Sequence, residues 1–212
     1  MNSPVSPFDA VILANGDFPT HPVPLSLLEK AKFLCCCDGA AQVALSHALS
    51  PDAVVGDGDS IPEETKKLLA GKFHHIAEQD FNDLTKATRF CMSRGCDTIA
   101  YVGATGKRED HALGNIFLLE HYARAFGITP VMFTDNGTFR VVLPGTTTFC
   151  SFSRQQVSIF NISCSAIESE GLRWNSYPYG ELWQGTLNES LGDSFSLHTD
   201  GSCLVYQTYE PK

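Results

Sequence analysis

Over the first 135 residues, short apolar runs alternate with longer amphipathic stretches. The runs are Ala10–Leu13, Phe33–Cys37, Ala53–Val55, His74–Ala77, Thr98–Val102 and Val131–Thr134, and they carry almost no charge. Runs of this length predict buried strands, and the amphipathic stretches between them predict the crossover helices of a parallel sheet. In the last stretch, Ala112, Ile116, Leu119, Ala123 and Phe126 fall on one face of a 3.6-residue period, with Gly127 as the stop. In another, Leu84, Ala87, Thr88 and Cys91 recur at i, i+3, i+4 and i+7, with Asp83 in the first turn.

The pattern changes after Asp135-Asn136-Gly137. Arg140–Leu143, Thr146–Phe152, Val157–Phe160, Phe195–Leu197 and Leu204–Tyr209 are short, β-branched or aromatic, and separated by Gly, Pro, Ser and Asn. The chain therefore reads as α/β followed by all-β. Residues 1–135 predict a mostly parallel, Rossmann-like domain, and residues 136–212 predict a small β-sandwich.

Composition narrows the function classes. With 43% apolar and 18% charged residues, the 212-residue chain is neither disordered nor fibrous. A formal charge of -9, with 15 scattered Lys and Arg, argues against a nucleic-acid surface and favours cations or metal-bound anions. No segment approaches the roughly 20 apolar residues of a membrane span, and Met1–Asp9 lacks a secretory pattern. The expectation is a soluble, cytoplasmic protein. Three of the eight cysteines, Cys35, Cys36 and Cys37, are consecutive and no C-x-x-C pair occurs, so the thiols read as reduced and mostly buried.

Ligands of open parallel sheets bind at the carboxyl ends of the strands, and here those ends are rich in Asp and Gly. Asn15-Gly16-Asp17 follows the first strand and Asp38-Gly39 the second. The third is followed by Gly56-Asp57-Gly58-Asp59-Ser60, which fails as a dinucleotide fingerprint because Ile61 occupies the third glycine position and the aspartates would repel a bare pyrophosphate. If the backbone stays extended, Asp57 and Asp59 point to one side and can face one or two hard cations; a turn with a Ser60–Glu63 capping box explains the same residues equally well. The fourth strand leads to Glu78-Gln79-Asp80-Phe81-Asn82-Asp83, in which Asn82 is a plausible N-cap. The fifth leads to GATGKREDHALGN, residues 103–115, which is not a Walker A loop but concentrates Gly103, Thr105, Gly106, Lys107, Arg108, Asp110 and His111 before a helix N-terminus, as anion binding requires. Asp38, Asp57, Asp59 and Asp83 would meet at one sheet edge, and four carboxylates gathered there are costly unless cations neutralise them. The other histidines read as structural. Trp174, in EGLRWN, is either a core aromatic or a stacking platform for a flat cationic ring.

LANGDFP at 13–19, CDGAA at 37–41, GDGDS at 56–60, QDFND at 79–83, GATGKREDHALGN and EGLRWN resemble, in order and spacing, the thiamine pyrophosphokinase family over nearly the whole chain. The resemblance implies an α/β catalytic domain and a β-sandwich in a homodimer. It also implies transfer of the pyrophosphoryl group of ATP to the hydroxyl of thiamine, giving thiamine diphosphate and AMP. By matched position, Asp38, Asp57, Asp59 and Asp83 would bind Mg²⁺ or orient the reacting groups, and Gln79 and Asn82 would contact phosphate or substrate. Asn15, Gly16 and the loop from Gly103 to His111 would hold ATP. Arg108 would stabilise developing charge and Asp59 or Asp83 would take the hydroxyl proton. Trp174 and Asn188 would contact thiamine. Two positions depart from the family pattern: Asn82 stands where Thr is common, and Leu187 replaces the Ser of a Ser-Asn-Glu run. Two other readings compete with catalysis of this reaction. They are a non-catalytic Mg²⁺-dependent nucleotide sensor and a Mg²⁺-dependent phosphotransferase acting on another alcohol.

Overall fold

A computed structural model describes residues 7–59, 61–78 and 80–211. The chain forms two compact units. One comprises the residues up to Phe117 with Ile128–Asp135, and the other comprises Leu118–Gly127 with the residues from Asn136 onward.

The first unit alternates strand and helix: β1 (Ala10–Leu13), α1 (Pro22–Glu29), β2 (Leu34–Cys37), α2 (Ala40–Ser46), β3 (Ala53–Gly56), α3 (Glu63–Leu68), β4 (Phe73–His75), α4 (Asp83–Ser93), β5 (Thr98–Val102), α5 (Glu109–Phe126) and β6 (Thr129–Phe133). Its strands run in the order β6-β5-β1-β2-β3-β4, and every pairing is parallel. All residues of β1, β2 and β3 are buried, which explains why these runs are apolar without alternation. On one face Val11, Leu13, Cys36, Val54, Ala100 and Val131 share a core with Leu28 of α1 and Ala40, Ala41 and Ala44 of α2.

Several boundaries differ from the sequence expectation for identifiable reasons. β4 sits earlier, on Phe73–His75, because its register places those residues beside Val54–Gly56. β6 begins at Thr129, whose N–H donates to the Asp97 carbonyl (2.7 Å). The expected capping box involves Ser60, which lies outside the described residues. Helix α3 begins at Glu63 with Pro62 in the cap position, and Glu63 pairs with Lys66 (2.9 Å). Gly127 ends α5 at φ +70°, its N–H bonded to the Ala123 carbonyl (3.2 Å).

In the second unit, β7 (Gly137–Val142), β8 (Gly145–Cys150), β9 (Gln155–Asn161), β10 (Ile167–Glu170), β11 (Asn188–Glu189), β12 (Ser194–Thr199) and β13 (Cys203–Pro211) pair only antiparallel among the described residues. One group has the order β11-β9-β13-β7 and the other β10-β12-β8. Val142, Val157, Ile159 and Val205 from the first group meet Phe149, Ile167, Phe195 and Leu197 from the second in one core. The buried Glu120 of α5 accepts from Ser202 Oγ (3.0 Å) and from Arg124 Nε (2.9 Å).

All eight cysteines are free thiols, and only Cys150 is exposed. Among the described residues no helix is long and apolar enough to cross a membrane.

The segment before α1 is held by Asp135. Its carboxylate accepts from Thr20 N–H (2.9 Å), Thr20 Oγ1 (2.6 Å) and His21 N–H (3.1 Å). Burial works against the charge, but these donors prevail and hold the carboxyl below its usual range. A carboxylate with a lowered pKa stabilises the fold above its unfolded value and stops doing so as pH falls through the folded one. Asp135→Asn should therefore cost about 1 kcal/mol in denaturant melts at pH 7. The gap between the two proteins should persist down to about pH 4, then close as the pH falls further.

Candidate active site

The chain builds its parallel sheet outward from β1 through β2, β3 and β4, then returns to place β5 on the other side of β1. At such a reversal the loops leaving neighbouring strands diverge and open a crevice at their carboxyl ends. Here those loops are Asn15–Asp17 after β1 and Gly103–Arg108 after β5, and they are laced together. Gly16 N–H donates to the Gly103 carbonyl (2.7 Å), Asp17 N–H donates to the Thr105 carbonyl (2.9 Å), and Lys107 Nζ donates to the Asn15 carbonyl (2.8 Å). Gly16 is required by this approach, because a Cβ there would collide with the carbonyl oxygens of Thr105 and Gly103.

The crevice is a cavity of about 560 Å³. Asn15, Gly16, Gly106, Lys107, Arg108 and His111 line one part, and Asp57, Asp80, Asn82, Asp83 and Lys86 line another. Cys37, Phe81, Leu84, Ala104 and Asn115 complete the wall with Ala14.

The carboxylates occupy different positions. Asp83 opens α4 on the cavity wall, and its Oδ1 accepts from the buried Lys86 Nζ (3.3 Å). Partial burial raises its pKa; Lys86 opposes the shift, while the charges of Asp38 and Asp57 add to it. The carboxylates of Asp38 and Asp57 are thus each near enough to repel that of Asp83. Asp38 itself is buried (4%) and absent from the cavity wall, and its Oδ1 accepts the Gly58 N–H (3.0 Å). It organises the loop after β3. The backbone of that loop does not stay extended: β3 stops at Gly56, Gly58 has φ +80°, and Asp57 Oδ1 accepts the Asp59 N–H (3.1 Å). This turn leaves Asp57 on the cavity and Asp59 exposed, away from the lining.

Asn82 caps α4, its Oδ1 accepting from Thr85 N–H (3.0 Å) and Thr85 Oγ1 (2.9 Å). Its Nδ2 donates to Asn115 Oδ1 (3.1 Å), and Asn115 Nδ2 donates to the Ala104 carbonyl (2.8 Å). A threonine at position 82 has no second polar atom with which to cap the helix and reach Asn115 at once. Arg108 borders the cavity but is largely exposed and pairs with Asp110, whose carboxyl it holds below the usual range. The carbonyls of Gly103 and Thr105 are the acceptors that tie the two loops. Gln79 lies outside the described residues.

The sequence reading did not single out Lys86 or Asn115. Lys86 stands three residues after Asp83 on a helix, the spacing of a side-chain pair, and Asn115 closes the 103–115 motif.

Trp174 and Asn188 lie in the second unit, on a cavity of about 290 Å³ that Tyr177, Tyr179 and Leu187 also line. Asn188 is buried and clamps the Trp174 backbone: its Oδ1 accepts Trp174 N–H (3.1 Å) and its Nδ2 donates to the Trp174 carbonyl (2.8 Å). The indole is half-exposed, and Arg173, paired with Glu189 (3.0 Å), covers its ring at 5.1 Å. Leu187 is exposed and left-handed, at φ +63°.

A switch-point crevice walled by carboxylates on one part and by a glycine-rich basic loop on another defines an open α/β binding protein for a compact polar or anionic ligand. Residues 25–130 match the family model for the thiamin pyrophosphokinase catalytic domain, and residues 137–206 match that for its substrate-binding domain. Thiamin pyrophosphokinase 1 of Caenorhabditis elegans is 27% identical over 128 residues, covering 56% of this chain and 51% of that protein. Thiamine pyrophosphokinase of Bacillus subtilis is 36% identical over 86 residues, 39% of this chain and 40% of that one. The matched stretches thus span about half or less of these relatives' own length. Among solved structures, that of thiamine pyrophosphokinase from Bacillus subtilis superposes with a TM-score of 0.79 at 20% identity over 95% of this chain and 99% of its own. That of thiamin pyrophosphokinase from Candida albicans gives 0.78 at 16%, over 99% and 98%. At these identities the likeness is one of fold. This chain belongs to the thiamin pyrophosphokinase family.

The lacing of the β1 and β5 loops yields a direct test. Gly16→Ala should push the two loops apart and cost about 1–3 kcal/mol of stability in denaturant melts, the scale of an overpacked contact.

Proposed function

We propose that this protein transfers the pyrophosphoryl group of ATP to the hydroxyl of thiamine, releasing thiamine diphosphate and AMP. The reading is carried by the meeting of Asp57 and Asp83 with Lys107 and Arg108 around one switch-point cavity, in a chain of this family. The loop from Gly103 to His111, with Asn15 and Gly16, holds the ATP phosphates; its backbone amides, Lys107 and Arg108 offset their charge. Arg108 leaves Asp110 to face the transferred group, where charge develops as AMP departs. Asp83, which lines the cavity, accepts the thiamine hydroxyl proton. Gln79 and Asn82 orient the phosphates.

Mg²⁺ is part of this proposal, and the donor set suits it: hard carboxylate oxygens, with Asp83 raised in pKa chiefly by burial and further by the charges of Asp38 and Asp57. Among the described residues no three such groups lie close enough to form a ready-made cage. Mg²⁺ is commonly held by one or two carboxylates with water and phosphate oxygens completing its shell. Asp57 and Asp83 would hold it. When bound, Mg²⁺ would neutralise phosphate charge in the transition state.

The second unit, read as a small β-sandwich, recognises thiamine. Thiamine is a flat, permanent cation, and the half-exposed Trp174, placed by Asn188, offers an aromatic surface to it. The domains in this reading are 1–135 for catalysis and 136–212 for thiamine. The enzyme would act in the cytoplasm as a homodimer whose subunits share the active site.

Incubation with ATP, Mg²⁺ and thiamine should yield AMP and thiamine diphosphate, with AMP dependent on thiamine. ADP in place of AMP would indicate ordinary kinase chemistry, and ATP binding without turnover would indicate a sensor. Asp57→Asn and Asp83→Asn should each lower turnover by at least ~100-fold, the scale of one key electrostatic group; near-normal rates in both would remove the metal-site reading. Chelation of Mg²⁺ should abolish AMP formation, and excess Mg²⁺ should restore it.

A further inference from the structure

Residues Leu84 to Thr88 of α4 are all buried, and Lys86 lies among them with 3% exposure. A buried ammonium is costly unless acceptors meet its three hydrogens. Among the described residues Lys86 Nζ has one acceptor, Asp83 Oδ1, at 3.3 Å. That is longer than the roughly 2.7–2.9 Å of a strong charge-assisted bond. The pair is also lopsided, because the cation is buried while 40% of the Asp83 side chain is exposed. An apolar residue would fill this helix face at lower cost if packing were the only demand. The Lys86 side chain lines the 560 Å³ cavity that Lys107 and Arg108 also line, so its hydrogens not bonded to Asp83 belong to a space walled by other anion-binding groups.

We propose that Lys86 is a catalytic residue whose ammonium binds a non-bridging oxygen of the pyrophosphoryl group being transferred. The identity of that anion rests on the function proposed above; the presence of a buried cation serving an anion in this cavity does not. In the transfer, the thiamine oxygen bonds to the β-phosphorus of ATP and the bond from that phosphorus to the α,β-bridging oxygen breaks. The electron pair leaves with AMP, and the hydroxyl proton passes to a cavity carboxylate. Lys86 keeps its proton throughout and offsets charge on the migrating group from the buried wall, whereas Arg108 reaches it from the exposed rim.

The alternative is that Lys86 only places Asp83, and a binding cycle separates the two. Inorganic pyrophosphate in magnesium buffer is titrated calorimetrically into the unmodified protein, K86M, D83N and the double variant, with thiamine-dependent AMP formation measured in parallel. K86M should weaken pyrophosphate binding by at least ~10-fold both alone and in the D83N background, as loss of a direct charged contact requires. Its turnover should fall by at least ~100-fold. No effect of K86M in the D83N background would reduce Lys86 to a positioning residue and overturn the proposal. K86R, which keeps the charge, should retain binding within a few-fold; equal losses in K86R and K86M with lowered melting temperatures would mark a packing role and also overturn it. If the unmodified protein binds pyrophosphate through Lys86 but makes no AMP from thiamine, the functional reading fails and the anion contact stands. Failure of the unmodified protein to bind pyrophosphate would overturn the contact itself.

Discussion

The reversal of strand order at β1 is the constraint from which the candidate site follows. Because β1 lies between β2 and β5, the loops at its carboxyl end and at that of β5 border a crevice that no helix connection fills. Residues distant in sequence, Gly16 and Gly103 or Asp17 and Thr105, are joined there through their backbones. The apolar strands set this placement, since buried parallel strands fix where every strand end emerges. Chemistry is then assigned to loops, and the sheet holds those loops in register.

Charge is managed locally on each part of the cavity. Arg108 is covered by Asp110, Asp83 by Lys86, and Asp38 is spent on a backbone amide of the neighbouring loop. A net charge of -9 therefore coexists with a cavity that gathers cations as well as carboxylates.

The fold was legible in the sequence wherever apolar runs were isolated. Ala10–Leu13 and Thr98–Val102 match their strands end to end, because buried central strands leave no polar residue to blur the edges. The order β6-β5-β1-β2-β3-β4 was not legible, since apolar runs carry no record of their neighbours. In the candidate site, the convergence of strand-end residues could be anticipated from the parallel-sheet rule alone. The separation of Asp57 from Asp59 could not, because it depends on the left-handed Gly58 and on an amide bond made by Asp57. The clamp that the Asn188 amide puts on the Trp174 backbone was not legible either. Short polar side chains are versatile, and their partners are set only by tertiary packing.

The backbone lacing between Asn15–Asp17 and Gly103–Lys107 has a consequence for conformational entropy. Fixing a loop costs roughly 1–2 kcal/mol per residue in lost freedom. Where main-chain bonds already hold both loops, that cost is met when the protein folds and is not charged again when a ligand arrives. The loop of Asp57 and Asp59 is held differently, by Asp38 at the Gly58 N–H, by Asp57 at the Asp59 N–H and by the Ile61 N–H on the Gly58 carbonyl. The laced wall of the crevice therefore has its shape set before any ligand arrives, and binding there reorders little of the chain.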